Sequence, residues 1–159
     1  MKIKDSGTRR KFSSGAVRDV AEGKGRCDLL PLEVLSEIFN DSIFGHIDLY
    51  IRKGNLIALN TIIERFSREY FGDIESAILE VAKHYEEGAK KYAERNWEKG
   101  IPSHCYIDSA VRHYIKFLRG DTDEPHDKAF LWNILGVWWN HLNMPEMIDL
   151  PFAEKENKQ

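Results

Sequence analysis

The sequence predicts an all-α fold, a bundle of five to six helices behind an irregular basic N-terminal arm. Three observations lead there. Apolar residues recur at helical spacing through most of residues 31–145. Gly-Asn, Gly-Asp and Asp-Glu-Pro breaks separate the stripes, as helix stops and caps do. No stretch alternates apolar and polar residues over the length a half-buried strand needs.

The elements follow in order. Residues 1–30 are punctuated by Gly7, Gly15, Gly23 and Gly25 and keep no apolar period, so they read as an arm able to cover a ligand. Pro31 opens a helix at the position where a missing N–H costs nothing. Leu35, Ile38 and Phe39 make its stripe, and Asn40-Asp41 marks a break before Ile43, Ile47, Tyr50 and Ile51. Gly54 is a stop and Asn55 a cap. The segment 56–70 then carries a stripe of Leu59, Ile62, Ile63, Phe66 and Tyr70. Gly72-Asp73 repeats the signal ahead of a helix over 74–93 with Ile74, Ala77, Ile78, Val81, Tyr85, Ala89 and Tyr92 inward. Gly100 and Pro102 place a loop at 94–106. A helix over 107–118 follows, with Asp108 near its start as a cap. Asp123 caps a final long helix carrying Pro125 in its first turn, and residues 146–159 form a short tail, frayed from Glu154 to Gln159. The domain reading is an arm at 1–30, one helical domain at 31–145, and that tail. Trp132, Trp138 and Trp139 on the last long helix read as exposed aromatics that join subunits, so a homo-oligomer, dimer or tetramer, is expected.

Composition narrows the function. The chain has 159 residues and a formal charge of −3, which argues against a duplex nucleic-acid binder. The charge is polarised: residues 1–26 carry eight Lys or Arg against Asp5, Asp19 and Glu22, a basic arm beside an acidic body. That pairing suits a polyanionic ligand that also needs metal. Two cysteines, Cys27 and Cys105, lack the spacing of a zinc knuckle. No apolar run reaches the ~20 residues of a membrane span, and residues 1–7 have no signal-peptide core. The expected location is therefore cytoplasmic, without a membrane partner.

Four clusters carry candidate chemistry. His84-Tyr85-Glu86-Glu87 puts carboxylates beside the small Gly88 and Ala89, and reads equally as a solvated face with Lys90 and Lys91. Glu124-Pro125-His126-Asp127 sets two acids three apart, so at a helix start they share a face. Carboxylates from two helices would build an oxygen site for Mg²⁺ or Mn²⁺. The run from Lys90 to Gly100 adds Lys91, Arg95 and Lys99 for phosphate, Tyr92 or Trp97 for stacking on a base, and Asn96 for reading its edge. Asp108-Ser109-Ala110-Val111-Arg112-His113 offers Arg112 to phosphate, with His113 read as a satisfied histidine.

Taken together, the runs Ser14-Gly15-Ala16-Val17-Arg18-Asp19, Gly23-Lys24-Gly25-Arg26-Cys27-Asp28-Leu29-Leu30-Pro31, His84 to Tyr92, Arg95-Asn96-Trp97-Glu98-Lys99-Gly100-Ile101-Pro102, Asp108 to His113 and Asp123 to Asn133 resemble the phage-associated dATP/dGTP diphosphohydrolase domain proteins, which are similar to MazG-like all-α nucleotide pyrophosphohydrolases. The resemblance covers most of residues 6–140 and is weakest over 33–73. It implies a hydrolase acting on phosphoric anhydrides, one that converts a (deoxy)purine nucleoside triphosphate, dGTP or dATP, to the monophosphate and pyrophosphate. It further implies Mg²⁺ (or Mn²⁺) held by Glu86, Glu87, Asp108, Glu124 and Asp127. Of the family's paired patterns, Glu124-x-x-Asp127 fits one, whereas Glu87-x-x-Lys90 departs from the other, leaving Glu80 and His84 as alternatives. On this reading Glu87 orients the attacking water, Lys91 and Arg112 neutralise the leaving pyrophosphate, and Lys24 and Arg26 fold over the phosphates. The alternative is a nucleotide-binding or sequestering protein of phage origin without turnover, which would tolerate loss of the carboxylates.

Overall fold

A computed structural model describes residues 2–158. Seven α-helices account for most of them: α1 Leu32–Ile38, α2 Ser42–Lys53, α3 Leu56–Phe71, α4 Ile74–Lys91, α5 Ser103–Arg119, α6 His126–Asn143 and α7 Pro151–Glu156. Short 3-10 turns lie at Cys27–Leu29, Asn96–Lys99 and Pro145–Met147. The all-α class is as expected, with one addition. The arm folds as a two-stranded antiparallel hairpin, β1 Arg9–Lys11 with β2 Val17–Asp19, in register Arg9↔Asp19, Arg10↔Arg18 and Lys11↔Val17. No alternation announces it because five of its six strand residues are charged. What sets the pairing is tertiary contact: Ala16 is fully buried, and the Asn96 side chain bonds to Val17 on both its N–H (2.9 Å) and its C=O (2.8 Å).

The predicted breaks between α1 and α4 follow local chemistry. Asp41, Asn55 and Asp73 each accept a backbone N–H, from Ile43, Ile57 and Ser76 respectively. Gly54 adopts φ +64, the left-handed stop that glycine takes without strain. Two helix starts differ from expectation. α5 begins at Ser103, so Asp108 sits in its second turn and not at a cap. α6 begins at His126, with Pro125 as its N-cap, so Glu124 lies outside the helix and does not share a helical face with Asp127. Asp123 then bonds to the His126 side chain instead of a backbone N–H.

The core is aromatic. Phe66 meets Phe130 at 4.9 Å between ring centroids, Tyr114 meets Phe130 at 4.9 Å, and Phe44 meets Tyr114 at 5.2 Å, tying α2, α3, α5 and α6 together. α5 and α6 pack closely because Gly136 lies flat against the Tyr106 ring. The tail is held as well: Phe152 of α7 packs on Tyr50, 5.5 Å away, which explains an ordered helix where fraying was expected; Gln159 lies outside the described residues. The three tryptophans each make contacts within the chain. Trp132 and Trp138 pack on the core and Trp139 meets Trp97 edge-on at 4.7 Å, leaving all three half-buried. Among the described residues no helix is long and apolar enough to cross a membrane.

Candidate functional site

The hairpin, α4, α5 and the loop before α6 enclose a cavity of about 600 Å³. That is within the range of roughly 300–1,000 Å³ usual for small-molecule sites. Its wall carries eight Lys or Arg residues against three carboxylates, Asp5, Asp19 and Glu124. A net-negative chain has thus gathered positive charge in one concave place, which favours an anionic ligand.

Arg18, on β2, is the central cation. Its Nη2 donates to Ser109 Oγ and Asn133 Oδ1, both at 3.2 Å, and the guanidinium faces the rings of Trp132 and Tyr106 at 5.2 and 5.4 Å. Nη1 is shut off from solvent and has no hydrogen-bond partner. No carboxylate pairs with Arg18 among the described residues, and burial pushes its pKa below the ordinary arginine value. A buried guanidinium without a counter-charge is costly, and such charges are normally paired. Beside it, the buried His84 Nδ1 also lacks a partner. Burial, then the Lys128 and Arg18 charges, push that imidazole down to about 4, so it is neutral near pH 7.

Lys91 and Arg112 complete the basic wall. Lys91 Nζ donates to the Lys4 carbonyl at 2.5 Å and lies 3.6 Å from Asp19, which tethers the arm to α4. Arg112 bonds both oxygens of Asp108 at 2.7 Å and the Gly25 carbonyl at 2.6 Å, while Asp108 accepts the Cys27 N–H at 2.7 Å. Asp108 is therefore the clasp that seats residues 25–27 on α5, with Arg112 held at the cavity edge. Lys24 reaches the wall and lies 3.8 Å from Asp19.

The other sequence candidates are dispersed. Glu87 is ion-paired with Lys90 at 3.0 Å, and neither it nor Glu86 lines this cavity. Asp127 accepts the adjacent Lys128 N–H and is likewise off the wall. Arg26 pairs with Asp28, Arg95 pairs with Glu98 at 2.6 Å, and Lys99 is exposed. Asn96 has its amide consumed by Val17, so it holds the hairpin and has no edge left for a base. Tyr92 is on the wall, its hydroxyl accepting the Asp19 N–H at 3.1 Å. Trp97 is in a second cavity of about 360 Å³, also lined by Tyr85 and Glu86, which shares Gly88, Tyr92, Asn96 and Trp132 with the first.

The five carboxylates expected to hold Mg²⁺ or Mn²⁺ do not meet. Among the described residues, two sets of three His or carboxylate ligand atoms lie within 4.8 Å of one another: His113, Glu124 and His126, and Asp121, Asp123 and His126. Neither contains Glu86, Glu87, Asp108 or Asp127, so among the described residues these four do not gather with Glu124 into one ligand set. Glu124 alone of the five stands on the cavity wall, with His113 beside it.

Arg18, His113 and Asn133 were legible only as a charge in the arm, a satisfied histidine and part of a matching run. Their convergence depends on pairing β2 with α5 and α6, which no local pattern encodes. For His84 a signal existed, since it adjoins the acidic pair on α4, but Glu86 lines the second cavity and Glu87 pairs with Lys90, whereas the histidine lines the first.

A family model described as dATP/dGTP diphosphohydrolase, N-terminal, matches residues 67–149, from the last turn of α3 through α4, α5 and α6. No curated protein and no solved structure matches the chain. The match takes in Lys91, Arg112, His113 and Glu124 and leaves the hairpin outside it. Covering more than half of the sequence, it places the chain in the dATP/dGTP diphosphohydrolase family.

Proposed function

We propose that the larger cavity binds the triphosphate of a purine deoxynucleotide, dGTP or dATP, and that the chain hydrolyses it to the monophosphate and pyrophosphate. The observation that carries this is Arg18: a guanidinium nitrogen out of water, unpartnered, and free of any carboxylate. A phosphate oxygen supplies both the missing acceptor and the missing charge. Lys91, Arg112 and Lys24 then surround the rest of the polyanion, neutralising charge that grows on the departing pyrophosphate. The adjoining aromatic cavity takes the base between Tyr85, Tyr92 and Trp97, reached past Gly88. Water attack at the α-phosphorus falls to Glu124 and the histidines beside it, because Glu87 lies outside the cavity. Magnesium enters this reading as the ion the triphosphate itself carries, and no residue set of the chain is assigned to it.

The test is direct. The protein is incubated with dGTP or dATP and divalent metal, and products are separated by ion exchange. Monophosphate and pyrophosphate in equal amounts support the reading; diphosphate with orthophosphate overturns the cleavage position. Tight binding without turnover would leave a sequestering protein.

A further inference from the structure

Next to the phosphate cavity, three ligand atoms from two elements converge. His113 Nδ1 on α5 lies 2.9 Å from His126 Nδ1 at the start of α6, and Glu124 Oε2 lies 4.0 Å from the first and 3.9 Å from the second. We propose that His113, His126 and Glu124 form a site for a divalent transition metal of the zinc class, open on the cavity side.

The distances support an ion at the centre. Atoms with these separations leave a point about 2.1 Å from each, the length of a zinc–nitrogen or zinc–carboxylate bond. A tetrahedral ion with bonds of that length sets its donors about 3.4 Å apart, and the observed spacings of 2.9 to 4.0 Å bracket it. Two imidazoles and one carboxylate favour zinc, cobalt or iron over magnesium. Three protein donors leave a position for water or a phosphate oxygen.

A second, separate observation is the outer support. His126 Nε2–H donates to Asp123 Oδ1 at 2.7 Å, which fixes the tautomer and leaves the Nδ1 lone pair facing His113 and Glu124. This carboxylate behind a histidine is the usual outer shell of a metal-bound imidazole. The other oxygen of Glu124 accepts the Lys4 N–H at 3.0 Å, so Oε2 is held toward the pair. The site uses the same Glu124 and histidines to which water attack is assigned above and so deepens that reading, but a metal titration without nucleotide tests it separately from turnover.

The chain, freed of metal with chelator and without nucleotide, is titrated with Co²⁺ while its visible ligand-field spectrum is recorded, and with Zn²⁺ by calorimetry. The expected result is one ion per chain, with a spectrum of mixed nitrogen and oxygen ligation that Zn²⁺ abolishes and a hundredfold excess of Mg²⁺ does not. H113N should abolish the spectrum and D123N should weaken Co²⁺ binding 10- to 100-fold. E87Q should bind as the parent does. Circular dichroism checks that each variant keeps its helices, and because His126 is buried, H113N on the cavity wall is the decisive substitution. Absence of Co²⁺ binding at millimolar concentration, binding undiminished in folded H113N, or loss in E87Q in place of H113N each overturns the proposal.

Discussion

Replacing Arg18 with methionine separates a binding role from a folding role. Methionine keeps much of the volume and removes the charge. Folding loses two hydrogen bonds of 3.2 Å, to Ser109 and Asn133, each worth about 1 kcal/mol net. It also loses the contacts to Trp132 and Tyr106, about 0.5–1 kcal/mol apiece. Against these losses of about 3–4 kcal/mol stands relief from burying an unpaired cation, itself several kcal/mol. Stability should therefore change by no more than about 1 kcal/mol in either direction, or about 2–4 °C in Tm for a chain of this size. Binding has no such compensation. One charge-assisted bond from Nη1 to phosphate is worth about 1.5–3 kcal/mol, so affinity for dGTP should fall about 10- to 150-fold. Differential scanning fluorimetry and calorimetry with dGTP read the two quantities on the same sample. R18K, which keeps charge but loses the planar fork, should fall between. Parent-like affinity in R18M would refute the phosphate role, and a Tm drop beyond about 10 °C would show that Arg18 holds the fold and not the ligand.

Other outcomes follow from the same geometry. N96A removes both bonds to Val17 and should cost about 2–3 kcal/mol in urea unfolding, while making residues 1–26 the first site of limited proteolysis; an uncut arm would contradict the anchoring. G136A sets a Cβ 2.3 Å from the Tyr106 ring, and although alanine gains up to ~1 kcal/mol in helix propensity, the clash between α5 and α6 should lower stability by about 1–3 kcal/mol net; an unchanged Tm would argue against that packing. E86Q removes a carboxylate from the aromatic cavity that matches the N1–H and amino donors of guanine, so kcat/KM should fall about 5- to 30-fold for dGTP and little for dATP, measured side by side. His104 is raised to about 10 chiefly by its hydrogen bond to Asp149. A raised histidine contributes stability in full below pH 6.5 and loses it as pH climbs toward 10, so the parent's urea midpoint should fall between pH 6 and 9 and that of D149N should stay level. An equal decline in D149N would remove the pair as the cause.

The sequence by itself determined the helices and most of their ends, because those depend on near neighbours. The Asp41, Asn55 and Asp73 caps and the Gly54 stop bond to residues two to four away, and the apolar stripes of α2, α3 and α4 need only their own period. It determined the family too, through runs that survive as local strings. It failed at Asp108 and Glu124, because helix starts set by prolines put Asp108 a turn inside α5 and Glu124 outside α6. Which basic and acidic groups face one cavity was decided by tertiary structure alone. Arg18 meets Asn133 across 115 positions, and Lys4 meets Glu124 across 120. A solvated charge and a buried unpaired one are the same letter in the sequence; they differ only in what packs around them, and for Arg18 that is the aromatic floor built by α5 and α6.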